Sequence, residues 1–124
     1  MDKIIILLLL HAAGDFILQG DKLSSLKRSR ISYLLIHTGL YTAVFLVATP
    51  FILGLSVKDA ILFSLFNGVI HLIVDYFTGK AKEEYWEKSQ QAFVTIVGVD
   101  HTLHLFTLIL SYLWFVHGII PVSL

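Results

Sequence analysis

A chain of 124 residues that is 56% hydrophobic and only 15% charged, with a mean hydropathy of +0.81, falls far below the roughly 25% charge of soluble domains. Nine Lys and Arg balance nine Asp and Glu, so no excess of positive charge points to a nucleic-acid partner. Cysteine is absent, which excludes disulfides and thiolate metal sites and leaves the redox compartment open.

Four apolar runs follow in chain order, each approaching the ~17 to 25 residues that cross hydrocarbon. The first extends from about Ile4 to Gln19 and could be mistaken for a cleaved leader, with Lys3 before it and the small residues Ala12 to Gly14 inside it. Its His11 and Asp15 repeat chemistry found in the third run, which favours a retained helix. The second extends from about Ile31 to Gly54 and contains Pro50, which bilayer helices tolerate as a bend. The third extends from about Ala60 to Thr78 and the fourth from about Phe93 to His117. Between them, Lys80 to Gln91 is too polar to span. Tyr85 and Trp86 among Glu83, Glu84, Glu87 and Lys88 read as a short interfacial helix or as a solvated connector. The expected fold is all-α, a single integral membrane four-helix bundle covering residues 1–124.

The connections set the expected orientation. Lys22, Lys27, Arg28 and Arg30 follow the first span, and Lys80, Lys82 and Lys88 follow the third, against Lys3 and Lys58 on the other side. By the positive-inside rule, loops one and three face the cytoplasm of a prokaryotic inner membrane and both termini lie outside.

Two copies of His-x-x-x-Asp-aromatic, His11/Asp15/Phe16 and His71/Asp75/Tyr76, lie within these spans. Ionisable residues are expensive in a bilayer and are by default functional. With the expected topology, each Asp lies about four residues, or ~6 Å, nearer the cytoplasm than its His. In the fourth span the direction of the chain reverses, and so does the order: Asp100 precedes His104. Carboxylates and imidazoles therefore form two layers, with His37 of the second span at similar depth. Residues four apart share a face, so His11/Asp15/Gln19, Tyr33/His37/Tyr41, Asn67/His71/Asp75 and Asp100/His104/Thr107 form polar stripes that turn inward.

The candidate metal ligands are His11, Asp15, His37, His71, Asp75, Asp100 and His104, with His101 either a ligand or an outer partner. Asp15, Asp75 and His37 are the candidates for direct roles in catalysis. So many imidazole and carboxylate groups exceed the needs of one tetrahedral ion and would suit a pair of divalent cations, or one cation beside a proton-transfer site. Zn ranks first, with Mn and Fe as alternatives. Intramembrane histidines also serve as hydrogen-bonding glue between helices, the simpler reading for His117, which has no acidic neighbour. Tyr112 and Trp114 read as outer-interface aromatics, and Gly14, Gly39 and Gly68 as points of close helix packing.

The combination of His11-Ala-Ala-Gly-Asp15-Phe16-Ile-Leu-Gln19, His37, His71-Leu-Ile-Val-Asp75-Tyr76 and Asp100-His101-Thr-Leu-His104 resembles domain-of-unknown-function family 3307, small prokaryotic and phage membrane proteins. The resemblance extends over essentially the whole length. Where that family's fourth-helix motif usually reads Asp-Gln-x-x-His, this chain has His101. The resemblance strengthens the site residues and implies no activity. The matching His/Asp pairs also raise the hypothesis of two repeated helical hairpins about an axis along the membrane normal.

The expected function is a divalent-metal-dependent membrane enzyme, with hydrolysis of a lipid or phosphorylated amphiphile from the cytoplasmic leaflet ranked first. The alternatives are a proton or metal-ion relay and a metal-stabilised interaction module without turnover. The outer halves of the helices offer few polar residues, which favours a one-sided pocket. Four helices give little lateral shielding, so a homo-oligomer is an additional expectation.

Overall fold

The computed structural model describes residues 2–17 and 30–117. Four helices account for nearly all of them. Helix α1 runs Asp2–Ala12 and continues as a π-helical turn over Ala13–Ile17; α2 is Ile31–Ile52, α3 is Val57–Tyr85, and α4 is Gln90–Tyr112 with a second π-helical turn over Leu113–His117. The helices form one bundle in which α3 packs against both α2 and α4, and α1 lies against α2 and α4.

Local chemistry explains the boundaries. Pro50 falls within the final turn of α2, where it removes the N–H that would reach the Leu46 carbonyl, and the helix ends three residues later with Leu53 N–H donating to the Thr49 carbonyl. Gly54 then takes a left-handed conformation, φ +67°, that reverses the chain toward α3. Ser56 caps α3 by accepting from the Asp59 amide, and Ser89 caps α4 by accepting from the Ala92 amide. Along α2, the hydroxyls of Thr38, Thr42 and Thr49 donate to the carbonyls of Leu34, Thr38 and Phe45 one turn earlier. That pattern lets a polar side chain sit in an apolar helix without an unmet donor.

The expected interfacial helix within residues 80–91 is corrected: α3 continues unbroken through Tyr85, and only a tight turn separates it from α4. Lys80, Lys82, Glu83 and Glu84 are straight-chain residues with good helix propensity, and no proline interrupts them. The 29 residues of α3 reach about 43 Å at 1.5 Å per residue, which carries its last turns beyond a hydrocarbon core of about 30 Å. Trp86 packs edge-on against Phe93 across the turn, with ring centroids 4.9 Å apart.

Burial is inverted relative to a water-soluble domain. Among the described residues, nine apolar side chains and thirteen polar or charged ones are buried, while Leu9, Val47, Phe51, Phe77, Val94 and Phe106 are exposed. Water would not support that distribution, and lipid would. Helices α2, α3 and α4, the last through Phe115, are long and apolar enough to cross a membrane. One half of the bundle is filled by Leu7, Tyr41, Phe45, Phe63, Leu108 and Tyr112. Tyr112 is thus a core residue and not the expected interface aromatic, because Ser111 and Tyr112 continue the inward face after Leu108. Trp114 instead packs on Phe66 and Phe115.

Two of the three glycines named as packing points act as such. A β-carbon at Gly68 would meet the Thr42 side chain, 3.2 Å from its Cβ, and one at Gly14 would lie 3.0 Å from Cδ2 of Tyr41. Gly39 faces open space, so it does not set a helix approach.

Candidate metal centre

All four helices send ionisable side chains to one place. His11 and Asp15 come from α1, His37 from α2, His71 and Asp75 from α3, and Asp100 and His104 from α4; none is more than 4% exposed. The π-helical turn begins between the two α1 residues and contains Asp15. Such turns widen a helix and re-aim its side chains, and they recur at functional sites. Here Gly14 within the turn admits Tyr41, so α1 can approach α2 closely enough for Asp15 to reach His37.

The tightest group contains His37, His71, Asp15 and Asp75. The two Nε2 atoms are 2.9 Å apart; His37 Nε2 is 3.1 Å from both Asp15 Oδ1 and Asp75 Oδ2; His71 Nε2 is 3.4 Å from Asp15 Oδ1 and 3.3 Å from Asp75 Oδ2. Those are five of the six edges of a tetrahedron. Ligand bonds of about 2.0 Å, the value for Zn with imidazole or carboxylate, give tetrahedral edges of about 3.3 Å. Two neutral imidazoles and two carboxylates also supply the charge that balances one divalent ion.

The other oxygens of the same carboxylates face different histidines. Asp15 Oδ2 is 3.7 Å from His11 Nε2, and Asp75 Oδ1 is 3.4 Å from His104 Nε2. Ligand atoms of His11, Asp15 and His104 lie within 4.8 Å of one another, as do those of Asp100, His101 and His104. The rings of His11, His71 and His104 form one layer, with centroids 4.0 to 6.0 Å apart, as the alternating order of Asp and His implies.

A surrounding shell orients these groups. Tyr41 hydrogen-bonds through its hydroxyl to His11 Nδ1 at 2.9 Å and stacks on His71, which stacks in turn on His104, both at 4.0 Å. With Nδ1 engaged by the phenol, Nε2 of His11 is the nitrogen directed at Asp15. Asn67 and Ser111 exchange hydrogen bonds of 2.9 and 3.1 Å, tying α3 to α4 just beyond the imidazole layer. On the other side, Lys82 Nζ is 2.7 Å from Asp100 Oδ2, and Thr78 donates to Asp100 Oδ1 at 2.8 Å. Asp100 Oδ1 is also 3.5 Å from His104 Nδ1, so the carboxylate links a lysine to an imidazole.

The structure therefore brings together His11, Asp15, His37, His71, Asp75, Asp100 and His104. His101 is at the edge, its side chain 34% exposed and its Nδ1 4.0 Å from Asp15 Oδ2. Thr107 leaves the expected stripe: its hydroxyl donates to the carbonyls of Leu103 and His104, and Leu108 takes the inward position. Gln19, Lys22, Lys27 and Arg28 lie outside the described residues, as do the side chains of Phe16 and His117.

Sequence reasoning missed Lys82 and Thr78. It treated the residues after Thr78 as a connector, yet Asp75, Gly79 and Lys82 follow the i, i+4, i+7 spacing of one helix face, and all three are buried. That spacing was the available signal.

No curated protein and no solved structure shows a match to the chain. The family model described as "Protein of unknown function (DUF3307)" matches residues 4–122, and the chain belongs to that family.

Proposed function

We propose that this chain is a membrane-embedded, divalent-metal-dependent hydrolase that acts on a phosphorylated amphiphile. The observation that carries this reading is the near-tetrahedral arrangement of His37 Nε2, His71 Nε2, Asp15 Oδ1 and Asp75 Oδ2, with edges of 2.9 to 3.4 Å. Without a cation, two carboxylates facing one another in a buried site would repel strongly. A bound ion would remove that repulsion and could polarise a phosphoryl oxygen and acidify water. Zn fits the donor set best, with Mn and Fe compatible with it.

In this reading, Asp15, Asp75, His37 and His71 hold the ion, and Asp100 orients His104 through Nδ1. His101, at the exposed edge of the site, is then placed to move a proton. Hydrolysis adds water across the phosphoester: the water oxygen bonds to phosphorus, and a proton passes to the departing alkoxide. Arg30 at the start of α2, Lys80 and Lys82 in the last turns of α3 and Lys88 in the turn that follows lie at the end of the bundle that the positive-inside rule assigns to the cytoplasm, with both termini outside. On that orientation the polar half of the bundle would face the cytoplasmic leaflet, where a lipid phosphate could approach laterally. The buried apolar cluster of Leu7, Phe45, Phe63 and Leu108 occupies the other half, which favours a one-sided pocket over a transmembrane relay.

The test is phosphate release from phosphatidic acid and from an isoprenyl phosphate by purified protein in mixed micelles, with added Zn²⁺ or Mn²⁺. Metal-dependent release that disappears in Asp75→Ala supports the proposal. No release from either substrate by metal-loaded protein, together with metal or proton flux in proteoliposomes, overturns it in favour of transport.

A further inference from the structure

The carboxylates of Asp15 and Asp75 each face two ways. Asp15 Oδ1 and Asp75 Oδ2 face His37 and His71, whereas Asp15 Oδ2 and Asp75 Oδ1 face His11 and His104. The second oxygens thus meet imidazole nitrogens from the first and fourth helices. Resting on the metal-centre reading above, we infer that the protein holds a second divalent ion, with Asp15 and Asp75 bridging the two and His11 and His104 completing the second position.

Two features support this second position. Neither ring nitrogen of buried His104 makes a hydrogen bond among the described residues, although a carboxylate oxygen faces each, Asp75 Oδ1 at 3.4 Å from Nε2 and Asp100 Oδ1 at 3.5 Å from Nδ1. A buried imidazole with both nitrogens unmet is costly, and coordination would satisfy one of them. His11 is prepared as a ligand: Nδ1 hydrogen-bonds to the Tyr41 hydroxyl, the outer contact that metal-bound histidines ordinarily have, and Nε2 is directed inward. Charge also distinguishes the two positions. Asp15 and Asp75 together balance one divalent ion, and Asp100 is already matched by Lys82 at 2.7 Å. The second ion would therefore require an anion from solvent, which would occupy one of its coordination positions as an exchangeable ligand.

Carboxylate-bridged pairs place their ions about 3.5 to 4 Å apart, a span that two two-oxygen bridges can cover. The second set is more widely spaced, its carboxylate–imidazole distances being 3.7 and 3.4 Å against 3.1 to 3.4 Å in the first, so its ion should be the more easily removed.

The experiment is metal stoichiometry by elemental analysis on detergent-purified full-length protein equilibrated with Mn²⁺, followed by low-temperature electron paramagnetic resonance. Two ions per chain, with an exchange-coupled spectrum, are expected. His11→Ala and His104→Ala should each retain one ion and show the uncoupled signal of isolated Mn²⁺. One ion in the unaltered protein, with an uncoupled spectrum, overturns the second position and leaves the first reading intact. No bound ion overturns both. The spectrum of the unaltered protein decides the question even if a variant fails to fold.

Discussion

His37 Nε2 and His71 Nε2, from helices α2 and α3, lie 2.9 Å apart with a carboxylate oxygen on either side. A single proton can bridge two imidazole nitrogens, but both nitrogens can present lone pairs to one cation. Removing either ring should therefore reduce affinity for metal far more than it alters packing. His37→Ala and His71→Ala are each expected to lower Zn²⁺ affinity at least a hundredfold, measured by competition with a chromophoric chelator. Full affinity in either variant would assign the pair to helix packing.

Metal binding should stabilise the bundle. An ion that binds only the folded state at a hundredfold excess over its dissociation constant adds about 2.7 kcal/mol. Treatment with a chelator should therefore lower the melting temperature in detergent, and restoring Zn²⁺ or Mn²⁺ should recover it. Asp15→Ala combined with Asp75→Ala should melt at the same temperature with and without metal.

The Lys82–Asp100 pair is buried, with side chains 11% and 3% exposed. Deleting one partner of such a pair leaves an uncompensated charge and typically costs about 3 to 5 kcal/mol, more than the intact pair contributes. Lys82→Met should accordingly destabilise the protein strongly, and adding Asp100→Asn should recover much of the loss. Equal melting temperatures for Lys82→Met and the unaltered protein would show that the pair is open to solvent.

Helix packing predicts a contrast between two glycines. Gly68→Ala brings a β-carbon against Thr42 and should cost about 1 to 3 kcal/mol, the usual range for overpacking. Gly39→Ala, with open space around it, should be neutral or slightly stabilising through helix propensity. Thermal unfolding of the two variants in the same detergent compares them directly.

Most of the arrangement is legible in the sequence because the bilayer simplifies the chemistry. An apolar span leaves few places for His and Asp, so the spacing of His11/Asp15 and His71/Asp75, the reversed Asp100/His104 and the depth of His37 were enough to bring seven residues together. The second helix was expected over 31–54 and ends at Ile52, where Pro50 and Gly54 mark the stop. What sequence could not resolve was the exit from the hydrocarbon. Composition changes sharply after Thr78, but helix geometry does not, and Lys82 remained hidden within a polar run although it shares a face with Asp75. The π-helical turn at Ala13–Ile17 was equally invisible, since its sequence differs little from an ordinary helix. It depends on tertiary contact, with Gly14 admitting the Tyr41 ring. The way the Asp15 and Asp75 carboxylates face His37 and His71 with one oxygen and His11 or His104 with the other is likewise a property of the packed helices, beyond the reach of spacing along any one of them.

The central claim is that His37, His71, Asp15 and Asp75 bind a metal ion. X-ray absorption at the Zn edge of Zn-loaded, detergent-purified protein tests it most directly. The expected result is a nitrogen and oxygen shell at about 2.0 Å with the multiple-scattering signature of imidazole, which weakens in His37→Ala and His71→Ala. A spectrum of hydrated Zn²⁺ without imidazole scattering, unchanged in both variants, would contradict it.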